Sequence, residues 1–118
     1  MEKLLGNILR AMADENRLRI LHLLMQREEL CVCDIERVLE MTQTKVSRHL
    51  GTLRHAGLVT ARRAGRWMYY ALGPESEEAR TLLATLAPMF ARNPEFQHDL
   101  HTLDNSADLV CAIPTEQA

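Results

Sequence analysis

The spacing of apolar residues changes along this chain, and that change limits the fold to a few architectures. Up to residue 56 the apolar residues recur every three or four positions, which is typical of amphipathic helices. The runs 58–64 and 66–72 are instead rich in Val, Thr, Trp and Tyr, which favours strands. Ala64 and Gly65 between them indicate a hairpin turn. Helical spacing returns after Pro74, so the predicted order is four helices, a hairpin and a C-terminal helical region.

Local signals place the ends of the helices. Asp14 and Thr42 are predicted N-caps of the second and fourth helices, because their side-chain oxygens can accept hydrogen bonds from first-turn amides. Gly57 is the predicted stop of the fourth helix, at 43–56. The third helix is short, at 31–39, and a tight turn joins it to the fourth. A helix-turn-helix followed by a hairpin is a winged helix. The predicted fold is therefore mostly α with a β-hairpin wing, in the order α-α-α-α-β-β-α.

A chain of 118 residues suits one domain with one modest core. Residues 1–104 are the predicted winged-helix DNA-binding and dimerisation domain, and 105–118 a predicted flexible C-terminal tail. No apolar run approaches the roughly 20 residues that span a bilayer, and the N-terminus lacks the apolar core of a signal peptide. We therefore expect a cytoplasmic protein with no membrane partner. No glycine-rich phosphate loop, nucleophile elbow or HExxH motif occurs, so we expect neither an enzyme nor a catalytic cofactor.

The charge of the chain is distributed unevenly. Its net charge is −2, but residues 41–74 hold six of the 14 basic residues and none of the 16 acidic ones. A basic block on an otherwise acidic protein indicates a local surface for a polyanion. The block coincides with the predicted helix-turn-helix and wing, so double-stranded DNA is the expected partner.

The predicted DNA contacts come from the fourth helix and the wing. At about 100° per residue, Val46 and Leu50 define the inner face of the fourth helix. The exposed side chains near its N-terminus suit base edges and phosphates: Gln43, Thr44, Lys45, Ser47 and Arg48. Arginines on either side of the hairpin turn are placed to reach phosphates or the minor groove: Arg62, Arg63 and Arg66.

Two cysteines, Cys31 and Cys33, lie where the third helix should begin. A reducing compartment favours thiols over a disulfide, and soft sulfur binds soft ions such as cadmium or lead and, by the same reasoning, As(III) and Sb(III). Residues two apart on an ideal helix point about 200° apart, so gripping one ion should distort the first turn. That distortion should misplace the fourth helix and release DNA. Two alternatives stay open, namely a pair of small buried side chains and a thiol redox sensor.

Several of these segments together resemble the ArsR/SmtB family of metal-responsive repressors. The resemblance covers about 13–72 and is carried by Glu29-Leu30-Cys31-Val32-Cys33-Asp34, Lys45-Val46-Ser47-Arg48-His49-Leu50, Leu53-Arg54-His55-Ala56-Gly57-Leu58-Val59 and Arg63-Ala64-Gly65-Arg66-Trp67-Met68-Tyr69-Tyr70. It implies a homodimer, paired through its first and last helices, that binds an inverted repeat near a resistance operon and leaves DNA when metal binds. The Cys-Val-Cys-Asp pattern is similar to that of the As(III)/Sb(III)-responsive members.

The resemblance also indicates where the ligand set is incomplete. Similar arsenic-responsive members often have a third cysteine three residues after the second, where this chain has Glu36. Cys111 could supply a third sulfur, and Cys31, Cys33 and Cys111 could then form a site for Cd(II) or Pb(II). The pair Asp99 and His101 resembles half of the zinc site of other members, but its partner half is missing. We therefore interpret both, with His98, as surface residues.

Overall fold

The computed structural model describes residues 3–110, with side chains up to residue 105. Its elements in chain order are α1 (Leu4–Met12), α2 (Glu15–Gln26), β1 (Leu30–Cys31), α3 (Val32–Leu39), α4 (Gln43–His55), β2 (Val59–Ala64), β3 (Trp67–Leu72), α5 (Glu77–Ala91) and α6 (Pro94–Val110). The predicted winged helix is confirmed. The structure adds the short strand β1, which the sequence analysis did not predict, and divides the C-terminal helical region into two helices.

Side-chain caps fix the ends of the helices, as the sequence predicts. The Asp14 carboxylate accepts hydrogen bonds from the backbone amides of Asn16 and Arg17, at 2.9 and 3.1 Å. The Thr42 hydroxyl accepts one from the amide of Lys45 at 3.3 Å. Gly57 follows α4 with a φ of +77°, a left-handed conformation that costs glycine little. These local features set where α4 begins and where the chain turns into the wing.

The three strands form one antiparallel sheet in the order β1-β3-β2. The hairpin β2–β3 turns at Gly65, whose φ is +63°. On the other side of β3, Leu30 pairs with Tyr70 and Cys31 pairs with Tyr69. The segment that carries Cys31 is therefore hydrogen-bonded to the wing itself.

The core lies around α2, whose Ile20, Leu21 and Leu23 are fully buried. This helix packs against α1, α4, α5 and α6, and α6 also packs against α3. Val46 and Leu50 bury the inner face of α4 against this core, as the spacing predicts. The opposite face of α4 is thereby held toward solvent.

The backbone of α6 runs to Val110, so it continues past the predicted domain boundary after residue 104. Most of the predicted tail lies outside the described residues, and its flexibility stays a prediction. Of the described helices, none is long and apolar enough to cross a membrane.

Candidate functional site

The predicted reading face of α4 is a continuous exposed surface. All five of its predicted contacts are exposed to solvent, while Val46, Leu50 and Leu53 on the opposite side are fully buried. They are Gln43, Thr44, Lys45, Ser47 and Arg48. His49 lies between the two faces and is half-buried; its Nδ1 accepts a hydrogen bond from Arg17 at 3.3 Å. This bond joins α4 to α2.

The three wing arginines are exposed, but they differ in their partners. Arg63 donates to the carbonyl oxygen of Gly65 at 3.3 Å. Arg62 donates through Nε to the Glu29 carboxylate at 3.2 Å and makes a second bond to it through Nη2. The Arg62 guanidinium also lies 5.0 Å from the centre of the Tyr69 ring. These hydrogen bonds hold the pKa of the Glu29 carboxyl group below its ordinary value. Arg62, one of the predicted DNA contacts, is therefore paired with an acidic side chain of the same chain.

The geometry of Cys31 and Cys33 differs from the sequence-based expectation. Cys31 has an extended backbone (φ −80°, ψ 153°) and is the N-cap of α3, while Cys33 lies in its first turn. The Cα atoms are 5.3 Å apart and the two sulfurs are bonded to each other, so the expected divergence of about 200° is wrong for this pair. The reason is that the 100° rule applies only inside a helix, and Cys31 lies just outside it. Both sulfurs converge while α3 stays intact.

The cysteine pair opens onto a cleft of about 210 Å³ between α4 and the wing. Its wall contains residues of both predicted DNA-reading elements as well as both cysteines: Cys31, Val32, Cys33, Glu36, Gln43, Ser47, Arg66, Trp67, Met68 and Tyr70. The Nε1 atom of Trp67 is buried and has no hydrogen-bond partner among the described residues. The cleft therefore joins the candidate ligand site to both elements that are predicted to touch DNA.

Once this disulfide is reduced, its two soft sulfurs lie close enough together to bind one thiophilic ion as thiolates. Cys31 is 2% exposed and Cys33 is half-buried. The described residues hold no group of three or more Cys, His, Asp or Glu side chains that could bind a metal. Cys111, the predicted third sulfur, lies outside the described residues.

The interpretation of Asp99 as a surface residue is wrong. Its side chain is buried and accepts two hydrogen bonds from Arg19, from Nε at 2.7 Å and from Nη2 at 2.8 Å. This pair raises the pKa of Arg19 above its ordinary value and ties α2 to α6. A signal was available, since Asp99 lies three residues after Phe96 and four before Leu103, on the buried face of its helix. His98 and His101 are exposed, as predicted.

The fold and the site can be compared with known proteins. Residues 14–61 match the family described as bacterial regulatory protein, arsR family. A solved homodimeric winged helix-turn-helix DNA-binding domain from Mycobacterium bovis, described as a possible ArsR-family transcriptional regulator, is 33% identical with a TM-score of 0.64. That similarity covers 74% of this chain and 78% of the other. The chain belongs to the arsR family.

The chain is also similar to HlyU and to regulators of arsenic resistance. HlyU from Vibrio cholerae is 33% identical with a TM-score of 0.67, over 77% of this chain and 96% of that one. The arsenic resistance transcriptional regulator ArsR1 of Pseudomonas putida is 46% identical over 68 residues, which are 58% of this chain and 53% of the relative. The arsenical resistance operon repressor of Escherichia coli is 46% identical over 67 residues, which are 57% of each.

A cadmium resistance transcriptional regulatory protein of Listeria innocua is 41% identical over 59 residues, half of each chain. The chain spans about half the length of the curated relatives that it matches. The family match at 14–61 contains Cys31, Cys33 and all of α4, and ends within β2. The rest of the wing, Asp99 and Cys111 lie beyond it.

Proposed function

We propose that this arsR-family chain is a DNA-binding transcriptional repressor of a metalloid-resistance operon. As a homodimer it binds an inverted repeat in double-stranded DNA through α4 and the wing. It is released when As(III) or Sb(III) binds Cys31 and Cys33. The observation that carries the proposal is the shared cleft, which places both cysteines beside Gln43, Ser47 and Arg66.

The release mechanism differs from the one that the sequence suggests. Because Cys31 lies outside α3, both sulfurs can hold one ion without unwinding that helix. A ligand at the pair instead acts on the cleft wall and on β1, which pairs with β3 of the wing. Thiolate is the ligand form, so the pair must be reduced first. Release then follows if the ion binds the DNA-free conformation more tightly than the DNA-bound one.

Fluorescence anisotropy tests this proposal with a DNA duplex that the protein selects from a random pool. Arsenite and antimonite should release the reduced protein from this duplex. Cys31→Ser and Cys33→Ser should keep their DNA affinity but lose the release. Cys111→Ser is the control, and we expect only a modest effect. Continued release of the Cys31 and Cys33 variants by arsenite would contradict the ligand assignment.

A second variant tests the reading helix. Arg48→Glu should weaken binding to the same duplex by about tenfold or more, because it replaces an attraction to DNA by a repulsion. Arg92→Glu, an exposed reversal at the end of α5, controls for net charge. Equal losses in both variants would exclude α4 as the specific reader.

A redox function is the second candidate, because the structure pairs the two sulfurs directly. In that case hydrogen peroxide takes two electrons and two protons from the thiols, which form one S–S bond while two waters leave. The same anisotropy assay separates the candidates, since peroxide and not arsenite would then release DNA. Cd(II) and Pb(II) belong in the same titration, and a loss of their effect in Cys111→Ser would indicate a three-sulfur site.

A further inference from the structure

We infer that the groove between α1 and α4 binds the sugar–phosphate backbone of DNA, which adds Asn7 and Arg10 of α1 to the DNA interface. The inference rests on the proposed function, because it extends the contacts that α4 makes with DNA. The observations that carry it are the charge of this groove, its position along α4 and an open glycine on its floor.

The α1–α4 groove has a volume of about 550 Å³ and is basic. One arginine from each of three helices lines it, namely Arg10, Arg17 and Arg48, and none of the described lining residues is acidic. Arg17 lies 4.0 Å from Asp14 and donates through Nε to the carbonyl oxygen of Ala11 at 2.6 Å, so it holds α1 in place. Within residues 3–105, Arg10 and Arg48 form no ion pair. Their uncompensated charges favour a polyanion.

The α1–α4 groove continues the DNA-reading surface toward the C-terminus of α4. Arg48 is a predicted DNA contact that also lines the groove, and Gly51 and His55 follow it on the same exposed face. At a rise of 1.5 Å per residue, His55 lies about 10 Å beyond Arg48 along the helix. The major groove is about 12 Å wide. When the N-terminal residues of α4 contact bases, the α1–α4 groove therefore lies at the phosphates that border the major groove.

Gly51 keeps the floor of the groove open. A methyl group at this position would meet no described atom within 4 Å, so packing inside the chain does not require glycine here. Glycine inside a helix is unfavourable relative to alanine, but it allows another backbone to approach closely. Beside this gap, Arg10 donates through Nη2 to Oδ1 of Asn7 at 2.7 Å, which leaves the Asn7 side-chain nitrogen as a further donor. The gap and the donors around it suit a phosphate group and its sugar.

The groove is separate from the apolar side of α1. Leu5 and Leu9 are exposed, and they suit the predicted dimer contact of this helix. At about 100° per residue, Asn7 and Arg10 lie at least about 100° around the helix from both leucines. A partner subunit on the apolar side therefore leaves the basic side of α1 open to DNA.

Arg10→Gln tests the charge of the groove, because it removes the guanidinium but keeps a hydrogen-bonding side chain. Fluorescence anisotropy is measured at several salt concentrations with the selected duplex and with an unrelated duplex of equal length. We expect the affinity for both to fall about fivefold for each protomer at about 0.15 M salt, since one phosphate contact releases about 0.9 counterions. The slope of log affinity against log salt should become shallower by the same number. Arg92→Gln, an exposed change at the end of α5, is the matched control and should alter neither quantity.

Gly51→Leu tests the open floor. It should weaken binding to both duplexes at least about tenfold, because its side chain fills the gap. The urea midpoint of unfolding should not fall, since leucine is a better helix former than glycine. Sedimentation velocity compares the mass of Arg10→Gln with that of the unmodified chain, and we expect the same value.

Three results would overturn the inference. They are an identical salt dependence of Arg10→Gln and Arg92→Gln, full DNA affinity of Gly51→Leu, and a lower sedimenting mass of Arg10→Gln, which would assign the groove to a contact between two copies of the chain. If the unmodified chain selects no duplex from the random pool, the proposed function itself fails.

Discussion

The buried ion pair between α2 and α6 makes a quantitative prediction about stability. Arg19 and Asp99 are joined by two hydrogen bonds of 2.7 and 2.8 Å, and their side chains are 17% and 2% exposed. Asp99→Ala removes both bonds and leaves the guanidinium partly buried without its main partner. We expect the free energy of unfolding to fall.

The size of this loss follows from the geometry. Removing one partner from a buried pair costs about 3–5 kcal/mol, mostly because a charge remains without compensation. Arg19 is not fully buried, and Glu95 lies 3.8 Å away and can compensate in part. The expected loss is therefore near the lower limit, about 3 kcal/mol.

Urea unfolding followed by circular dichroism measures this loss, at one fixed chain concentration because the proposed dimerisation would make stability depend on concentration. Asp104→Ala is a matched control, since Asp104 also pairs with an arginine, Arg27, which directly follows α2, but in a more exposed position. Side-chain exposure there is 35% for Arg27 and 52% for Asp104, so the expected cost is below about 1 kcal/mol. Equal, small losses in both variants would refute the argument from burial.

Two further predictions concern pH and salt. Burial lowers the pKa of His22, opposed in part by the nearby charge of Asp99, so the unfolded chain binds a proton at this site more readily than the folded one. The free energy of unfolding should therefore decrease as the pH drops below the ordinary histidine pKa of 6.5. In urea unfolding at pH 7.5 and pH 5.5, His22→Leu should show a smaller decrease between the two pH values than the unmodified chain. Glu29→Gln removes the ion pair with Arg62, which should raise DNA affinity by up to about fivefold and make that affinity depend more steeply on salt concentration. An unchanged affinity with an unchanged salt dependence would show that Arg62 does not reach DNA.

Much of the fold is predictable because its signals are local. The spacing of Val46 and Leu50 predicts the buried face of α4, and Asp14, Thr42 and Gly57 fix helix ends through bonds to neighbouring residues. Such features depend on a few consecutive positions. The exposed reading face then follows directly from the buried one.

The errors arise where distant parts of the chain meet. Strand β1 has two residues, and its pairing with β3 joins positions about 40 residues apart, so no local pattern marks it. Asp99 was interpreted as a surface residue because the second half of a zinc site is missing, whereas its actual partner, Arg19, lies 80 residues away in the sequence. The prediction that the two cysteine side chains diverge was wrong because helical spacing was applied to Cys31, which is the N-cap of α3 and lies outside the helix.

The position of Cys31 in the sheet indicates how large a structural change the proposed release of DNA requires. Cys31 pairs with Tyr69 on β3, and Tyr69 pairs with Arg62 on β2, so one row of the sheet connects the cysteine to a predicted DNA contact. Allosteric coupling typically amounts to about 1–3 kcal/mol, which changes affinity about 5- to 150-fold. One or two backbone hydrogen bonds contribute a similar amount, about 0.5–1.5 kcal/mol each. In the proposed function, loss of the short β1–β3 pairing is therefore sufficient in magnitude to account for the release of DNA, without unfolding of α3.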